Sequence, residues 1–475
     1  MVMGDMEMKV DVAIIGSGPG GYGAAFRAAD LGLDVALIDP RPKPGGVCLH
    51  HGCIPSKTYL FLAELILDAR RAASMGVTFG EPEIDLAAMQ AWKAQVINNM
   101  ADGLVNLSNK RGVQLVSGTA RFEHANAVKI DGAEVSRVRF DHAIIATGSS
   151  PVSFPGTAPG AGSRIMSSAG ALELSDIPEE LFIIGGGYVG LELGTVYAAL
   201  GSRVSLAEVQ DRLLPGVDAD LVAPLQHQLS KLFGEIHLNT RITELEELGD
   251  RVTVRFATPD GDQTRQFDRV LVAMGREPAS RELGLEHTAV AVDERGYIQV
   301  DEQQRTAETN IFAVGDVAGG MMLAHTATRE GRVAAEVIAG INSSFDVRAI
   351  PAVVYTDPQI AWCGLTEEQA KANNIPVAVE KFPWKYSGRA NTMGSTEGLT
   401  KIIADPEEGR ILGIGITGRD TEGLISEGVL AIELGALAED MALSLHPHPT
   451  LSETEGEAAE IFQGSPTHML PKKRS

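Results

Sequence analysis

Residues 10–21 read VDVAIIGSGPGG, and residues 181–190 follow the same plan as LFIIGGGYVG. In each copy an apolar run leads into a cluster of glycines, and a helix-like stretch and a second apolar run come next. The second apolar run is closed by an acid, Asp39 in the first copy and Glu208 in the second, 23 residues after the first glycine in both cases (16 to 39, 185 to 208). The repeat predicts two units of strand, glycine turn, helix, strand and acid.

The glycines of such a unit have separate physical tasks. The first makes a tight turn, the second lets the backbone approach a pyrophosphate at the helix N-terminus, and the third lets helix and strand pack closely. The acid is placed to accept a hydrogen bond from a ribose hydroxyl. Structural turns without a ligand are the alternative, but matched acids in both copies favour dinucleotide binding. The glycines concerned are Gly16, Gly18 and Gly21 in the first unit and Gly185, Gly187 and Gly190 in the second.

Size and charge restrict the classes of protein that this chain can belong to. Its 475 residues exceed one ordinary core, so about three domains are expected. Lys and Arg number 40 against 63 Asp and Glu, a formal charge of -23, which argues against a nucleic-acid partner. The sequence contains no apolar run that could cross a bilayer, and residues 1–10 lack a secretory signal, so we expect a cytoplasmic protein without membrane contact.

Two of the three cysteines, Cys48 and Cys53, lie shortly after the first unit with four residues between them. Three cysteines are too few for a disulfide-scaffolded secreted fold, so a close pair indicates redox or metal chemistry. Four intervening residues let both sulfurs meet as a disulfide, and a helix dipole and a nearby cation would stabilise a thiolate. His50 and His51 make zinc the competing interpretation, but adjacent histidines in so short a loop could hardly close a tetrahedron, so we expect no metal. Cys363, in a strand-like run, is interpreted as a small core residue.

Three further apolar runs end in glycine and look like strand ends that carry the chain between nested domains. We place a first nucleotide-binding domain at 1–150 and 279–348, with the second inserted at 151–278. In residues 349–475 short β runs alternate with helical stretches, which is typical of an α+β domain. The predicted fold class is therefore α/β, with two nested Rossmann-like domains and a C-terminal α+β domain.

The segment around the two cysteines resembles the redox motif of the pyridine nucleotide-disulfide oxidoreductases, and the dihydrolipoamide dehydrogenases among them match best. The similarity covers nearly the whole chain and its motifs are highly specific in combination. They are Gly45-Gly46-Val47-Cys48 with Gly52-Cys53-Ile54-Pro55-Ser56-Lys57, Gly315-Asp316 with Met322-Leu323-Ala324-His325, Phe382-Pro383-Trp384 with Ser387-Gly388-Arg389-Ala390, and His446-Pro447-His448-Pro449-Thr450-Leu451-Ser452-Glu453. The tail from Ala458 to Lys473 is also similar to bacterial members that serve 2-oxoacid dehydrogenase complexes.

This resemblance implies FAD in the first nucleotide-binding domain and NAD in the second, with Lys57 approaching the flavin ring. The implied FAD contacts are Gly16, Gly18, Gly21, Asp39, Lys57, Gly118, Thr147, Gly148, Ser149, Asp316, Met322, Leu323, Ala324 and His325. The implied NAD contacts are Gly185, Gly187, Gly190, Glu208 and Gly275, and Glu192 is a further cofactor contact. By the family mechanism, dihydrolipoamide on a lipoylated carrier protein exchanges with the outer Cys48, the inner Cys53 faces the flavin, and a hydride then reaches NAD.

The same resemblance assigns the general base to His448, with Glu453 holding and polarising it. The run from Thr450 to Glu453 also matches a helix capping box, so Glu453 has a structural interpretation that need not exclude the catalytic one. His446 is the rival base. Because the third domain forms the dimer interface in this family, we expect a homodimer in which His448 acts on the disulfide of the other subunit.

The chain departs from the family pattern at His50-His51, where Asn-Val is common, and at Thr326, where Lys is usual. The two histidines could face the disulfide or be solvated loop residues, and we favour the solvated interpretation. These departures leave the substrate less certain than the reaction class.

Other disulfide reductases are the nearest alternatives. Mercuric reductase normally needs a further cysteine pair near the C-terminus, whereas the last cysteine here is Cys363. Glutathione reductase needs cations for the 2′-phosphate of NADP, whereas Glu208 and Asp211, with only Arg212 nearby, surround that place. A non-catalytic scaffold is disfavoured because every catalytic position is occupied.

Overall fold

A computed structural model describes residues 6–157, 160, 162–259 and 261–471 of the chain. The basic end of the tail, Lys472 and Lys473, lies outside the described residues, as do residues 1–5. The helices and strands come in three groups along the sequence.

The first group comprises β1 (Met6–Ile15), α1 (Pro19–Asp30), β2 (Val35–Asp39), α2 (Gly46–His51), α3 (Cys53–Ala72), α4 (Leu86–Lys110), β3 (Gln114–Ser117), β4 (Thr119–His124), β5 (Ala127–Asp131) and β6 (Val135–Ile145). The second comprises β7 (Ser149–Pro151), β8 (Ile165–Met166), α5 (Ser168–Glu173), β9 (Glu180–Ile184), α6 (Tyr188–Leu200), β10 (Arg203–Ala207), α7 (Ala219–Leu232), β11 (Glu235–His237), β12 (Arg241–Leu248), β13 (Arg251–Thr258), β14 (Gly261–Phe267), β15 (Arg269–Val272) and β16 (Arg276–Pro278).

The third group comprises β17 (Ile311–Ala313), α8 (Ala324–Ile338), β18 (Ala352–Val354), β19 (Gln359–Gly364), α9 (Glu367–Ala372), β20 (Ala378–Pro383), α10 (Gly388–Thr392), β21 (Leu399–Ala404), β22 (Ile411–Gly418), α11 (Thr421–Leu434), α12 (Ala438–Leu443) and α13 (Glu453–Phe462).

The first sheet has the strand order β3-β2-β1-β6-β5-β4, and β17 pairs with the carboxyl end of β6. Strands β1, β2, β3, β6 and β17 run parallel, so their carboxyl ends meet at one edge, where Ile15 pairs with Ile38 and Ile145. Small side chains on α1, among them Ala24 and Ala28, let this helix and α8 pack closely over the buried strands. The glycine loop after β1 therefore lies at the edge where parallel strands end.

The second sheet repeats this plan with five parallel strands in the order β11-β10-β9-β15-β8. α6 is apolar and buried along nearly its whole length. The antiparallel strands β12, β13 and β14 contribute to the same core, in which the Phe182 ring lies 5.9 Å from that of Phe256 and 4.6 Å from that of Phe267. A second glycine loop, between β9 and α6, therefore occupies the same kind of edge.

Strands β7 and β16 form a short antiparallel ribbon where the chain passes between the two parallel sheets. The C-terminal part is an antiparallel sheet in the order β18-β19-β22-β21-β20, and α11 and α13 pack on it around Phe382 and Trp384. This architecture confirms the predicted α/β class, while the residue boundaries of the domains stay a prediction. Within the described ranges, no helix is both long and apolar enough to span a bilayer.

Candidate active site

The first glycine loop joins the carboxyl end of β1 to α1. Gly16 has a φ of 101°, and a Cβ there would lie 2.3 Å from the carbonyl oxygen of Ala146, so a side chain does not fit. A Cβ on Gly21 would lie 1.8 Å from the Gly16 carbonyl oxygen, which accounts for the close packing of helix on loop. A Cβ on Gly18 would meet only the Gly46 Cα, at 3.9 Å. The middle glycine therefore presents bare backbone to a ligand.

Asp39, at the end of β2, holds this loop. One of its carboxylate oxygens accepts hydrogen bonds from the backbone N–H and the hydroxyl of Ser17, both at 2.9 Å. The other accepts from the backbone N–H of Arg41 at 2.9 Å and from its guanidinium at 3.2 Å. The buried carboxylate thus ties the loop to the strand end and brings a cation to the same place.

The second unit has the same geometry. Gly185 has a φ of 111°, and a Cβ there would lie 2.3 Å from the carbonyl oxygen of Ala273. The buried Glu208 carboxylate accepts from the backbone N–H of Gly186 at 2.6 Å and of Gln210 at 2.8 Å. A neutral glutamine therefore stands where the first unit has an arginine.

The cation that follows Glu208 in the sequence, Arg212, is paired with a distant carboxylate. Arg212, the cation that follows in sequence, forms a two-pronged ion pair with Glu368 of α9, one prong of which measures 2.9 Å. Its guanidinium is consequently held by the C-terminal part of the chain.

The redox segment lies directly against the first glycine loop. A Cβ on Gly46, at the start of α2, would lie 2.5 Å from the Gly18 Cα, so the two backbones are in close contact. α2 and α3 meet at Gly52, which brings together Cys48, half-buried in α2, and Cys53, the first residue of α3 and exposed. The predicted curl of the chain between the cysteines is built from these two helices.

The two thiols form a close pair, and their interaction separates their acidities. The interaction with Cys48, with help from the Lys57 charge, lowers the pKa of Cys53 to about 7, although the protein around the sulfur, by desolvation, would raise it. The same interaction and desolvation raise the pKa of Cys48. Cys53 also occupies the N-terminus of a 20-residue helix, whose dipole favours an anion. Cys53 is therefore the member of the pair that ionises first.

Lys57 lies one turn after Cys53 on α3 and joins three distant parts of the chain. Its Nζ lies 2.7 Å from Oε2 of Glu192 on α6, and the other Glu192 oxygen accepts from the Tyr355 N–H at 2.9 Å. The ammonium also lies 4.5 Å from the centre of the Tyr355 ring. Since Glu192 is 3% exposed, this ion pair is held rigidly beside the redox pair.

A cavity of about 200 Å³ runs along these groups. The predicted residues that line it, besides both cysteines, are Gly16, Gly18, Asp39, Lys57, Thr147, Gly148, Ser149, Glu192, Asp316, Met322 and Ala324. The predicted FAD contacts outside its lining are Gly21, Gly118, Leu323 and His325. His325 Nε2 instead lies 2.9 Å from the carbonyl oxygen of Pro351.

A larger cleft, of about 1030 Å³, opens beside the second glycine loop. The predicted residues that line it are Gly185, Gly187, Glu208 and Gly275, together with the predicted FAD contacts Met322 and Leu323. Gly190 lies beneath the loop, where a Cβ would come within 2.3 Å of the Gly185 carbonyl oxygen. Tyr188 and Arg276 line both the cleft and the first cavity, so they stand between the two spaces.

Arg41, Tyr188, Arg276 and Glu330 are site residues that the sequence analysis missed. Arg276 donates to the Ser149 hydroxyl at 2.7 Å, and its position directly after Gly275 at a strand end was the available signal. Glu330, on α8, accepts a hydrogen bond from the backbone N–H of Gly315, and burial raises the pKa of Glu330 to about 7. A buried acid on an otherwise apolar helix face was the signal in that case.

The segment before α13 carries His448. Its Nδ1 lies 2.8 Å from Oε1 of Glu453, and Oε2 of Glu453 accepts from the Thr450 N–H at 2.7 Å. Glu453 therefore bonds both the imidazole and the Thr450 backbone N–H, whereas the N-cap of α13 is Ser452, whose side chain makes no capping hydrogen bond; the catalytic role of Glu453 stays a prediction. The His448 side chain is 73% exposed and does not line the cavity of its own chain. His446, the rival base, is half-buried and bonded to Glu427.

The structure shows the surroundings of the three residues that depart from the family pattern, His50, His51 and Thr326. His50 Nε2 lies 3.1 Å from the carbonyl oxygen of Pro44. His51 lines the first cavity, and burial, followed by the Arg41 charge, lowers its pKa. The Thr326 hydroxyl is buried, with no hydrogen-bond partner in the part of the chain that the structure describes.

Two family profiles together match most of the chain. The pyridine nucleotide-disulphide oxidoreductase profile matches residues 10–331, and the dimerisation domain of the same family matches residues 350–459. The chain belongs to the pyridine nucleotide-disulphide oxidoreductases. Its dimerisation domain makes this oxidoreductase a homodimer.

Curated relatives of this oxidoreductase match over nearly their full length. Dihydrolipoyl dehydrogenase of Vibrio parahaemolyticus is 44% identical over 469 residues, 98% of each chain. The dihydrolipoyl dehydrogenases of Geobacillus stearothermophilus and Halobacterium salinarum are 42% and 40% identical over 99% of this chain and 100% of theirs.

Solved structures show the same architecture. LpdA from Mycobacterium tuberculosis superposes with a TM-score of 0.87 at 27% identity, covering 95% of this chain and 99% of that one. The HOCl-induced flavoprotein disulfide reductase RclA from Escherichia coli gives a TM-score of 0.83 at the same identity and coverage.

Proposed function

We propose that this oxidoreductase works in the cytosol, where it oxidises dihydrolipoamide borne by a lipoylated carrier protein and reduces NAD+ to NADH. The observation that carries the proposal is the readily ionised Cys53 thiol beside Lys57, in a cavity walled by the first glycine loop. The relatives named dihydrolipoyl dehydrogenase, 40% to 44% identical over almost their entire length, support the choice of substrate.

The residues of the first cavity fit FAD. The bare backbone of Gly18 at the N-terminus of α1 suits a pyrophosphate, and Asp39 suits a ribose hydroxyl. FAD bound there supplies a carrier that takes two electrons from a thiolate and passes them on as a hydride. Gly187, Glu208 and the large second cleft fit NAD in the same manner.

The thiols of the chain perform the exchange with substrate. In the oxidised enzyme Cys48 and Cys53 form a disulfide; a thiolate of dihydrolipoamide attacks the Cys48 sulfur and releases Cys53 as a thiolate. The second substrate thiolate attacks the mixed disulfide, so lipoamide leaves and Cys48 is reduced. The low pKa of Cys53 makes it the better leaving group. The Cys53 thiolate, beside Lys57, would then give both electrons to FAD bound in the cavity, and the disulfide between Cys48 and Cys53 would form again.

His448 removes the proton that makes the substrate thiol a nucleophile. Because Glu453 binds Nδ1, Nε2 is the free acceptor, and the carboxylate stabilises the resulting imidazolium. The high exposure of His448, and its place outside the cavity of its own chain, support action on the disulfide of the partner subunit.

Glu208 and Arg212 favour NAD over NADP. The buried Glu208 carboxylate can accept from a 2′-hydroxyl and would repel a 2′-phosphate at the same place. Arg212 is paired with both oxygens of Glu368, so its charge is already neutralised.

Mixed dimers test the base and the substrate together. Chains carrying Cys48→Ser and chains carrying His448→Gln, each with its own tag, are combined, and the purified heterodimers are assayed with dihydrolipoamide and NAD+. One intact site per heterodimer should give about half of the wild-type rate, while both parent homodimers stay inactive. Inactive heterodimers would reject the cross-subunit base. A wild-type enzyme that turns over another disulfide but not dihydrolipoamide would reject the substrate.

A further inference from the structure

The segment between α12 and α13 carries two histidines, each paired with a different carboxylate. His448 binds Glu453 at the start of α13, and His446 Nε2 lies 2.9 Å from Oε1 of Glu427 on α11. The two imidazoles differ in exposure, 73% for the His448 side chain and 10% for His446. The segment is thus tied to α13 through one histidine and to α11 through the other.

α13 packs directly against the buried imidazole. A Cβ on Gly456 would lie 3.0 Å from Nδ1 of His446 and 3.1 Å from its Cε1, so a larger residue would displace the ring. Gly456 lies in the first turn of the helix that begins with Glu453. The His446 ring therefore lies directly against the helix turn that carries Glu453, the carboxylate bonded to the base.

Hydrogen bonds, burial and nearby charges all act on the pKa of His446. The hydrogen bond to Glu427 raises the pKa of His446 although burial opposes it, and the Ser444 carbonyl and Glu453 act in the same direction. Glu455, on α13, also faces Glu427, but burial raises its pKa well above the usual value, which favours its neutral form. Glu427 is therefore the carboxylate that acts most strongly on His446.

We propose that His446 and Glu427 are a positioning pair for the catalytic base: they anchor the His446-Pro447-His448 segment to α11 and keep His448 aimed at the disulfide it serves. The pair acts through the segment, since His446 lies too deep to meet substrate. This role rests on the proposed function of His448.

Removing either member of the pair should slow the step that uses His448. Glu427→Gln loosens the segment, so kcat for dihydrolipoamide oxidation should fall about tenfold with little change in KM. His446→Gln should lower kcat similarly, because it removes the same contact with Glu427.

Electron transfer from NADH to ferricyanide, which needs no base, should stay within about twofold of wild type in both variants. Glu439→Gln, at an exposed glutamate of α12, is the matched control and should not alter kcat. Glu427→Asp keeps the charge and should recover part of kcat; it also replaces the glutamine variant if that chain does not assemble.

A wild-type kcat in both Glu427→Gln and His446→Gln would overturn the positioning role. Wild-type enzyme without dihydrolipoamide activity would overturn the proposed function itself, and the wild-type control in the same assay separates the two results.

Discussion

The two dinucleotide units share one backbone design and differ in what surrounds it. In both, the buried acid accepts from the N–H of the second loop residue and from the N–H two positions after itself: Asp39 from Ser17 and Arg41, Glu208 from Gly186 and Gln210. The first loop, however, is covered by the redox segment around a cavity of about 200 Å³, whereas the second faces a cleft of about 1030 Å³. The same local motif therefore lies beneath the redox segment in one unit and beside an open cleft in the other, and the neighbouring elements make the difference.

Substitution of Cys53, beside the first unit, should have the largest effect on activity. Cys53→Ser removes the thiolate beside Lys57, so dihydrolipoamide oxidation should fall by at least ~10,000-fold while FAD stays bound. Two-electron reduction should then no longer give a long-wavelength thiolate-to-flavin absorption band. Transfer from NADH to ferricyanide is the control for an intact second unit. If Cys53→Ser kept the band, the inner thiol would be misassigned.

Removal of the acid of the first unit, Asp39, should weaken the binding of FAD. Asp39→Ala removes the carboxylate that holds the Ser17 N–H and the Arg41 guanidinium, so FAD affinity should fall roughly 10- to 100-fold. Titration of the apoprotein by flavin fluorescence measures this change. Glu208→Ala, the same alteration in the second unit, is the matched control. Equal weakening of FAD in both variants would contradict the division of ligands between the units.

The reverse experiment breaks only the second unit. Glu208→Ala should raise KM for NAD+ about tenfold and narrow the preference for NAD over NADP, because the acceptor and the repulsion are lost together. Steady-state kinetics with both coenzymes check it, with FAD content as the control. Equal efficiency of the wild-type enzyme with NADP would remove the basis for this prediction.

The smallest effect concerns Glu330, which supports the first unit by accepting from the Gly315 N–H at 2.6 Å. Burial raises the pKa of Glu330 from 4.5 to about 7, so between these values the folded chain binds more protons than the unfolded chain and stability falls as pH rises. Glu330→Gln abolishes this dependence. Relative to wild type, its free energy of unfolding should therefore rise from about pH 5 to about pH 8, by roughly 2 to 3 kcal/mol.

Glu336, on the same helix, provides a control of opposite sign. Burial alone would raise its pKa, but hydrogen bonds from Ser343 and Arg27 lower it. Its ionised form thus contributes stability that is lost as pH falls through the lowered pKa. Glu336→Gln should be less stable than wild type near neutral pH and approach wild type in acid. Parallel pH dependence in the two variants would contradict the assignment of Glu330.

The sequence by itself determined the two βαβ units, the redox pair and the nested α/β class. Each of these follows from short-range patterns: glycines and an acid at set spacing, two cysteines with four residues between them, and runs of β-branched residues. Gly16 shows why such patterns are informative. Its positive φ and the close carbonyl oxygen of Ala146 leave no room for a side chain, so the turn itself requires a glycine.

Only the tertiary structure decided which charges pair. Lys57 lies 135 positions from Glu192, and Arg212 lies 156 positions from Glu368, so no local pattern links them. Glu192 was predicted only as a cofactor contact, yet in the fold its carboxylate binds Lys57. The physical reason is that an ionisable side chain is neutralised by whichever opposite charge packing brings within a few ångströms, and that proximity arises between elements from separate parts of the chain.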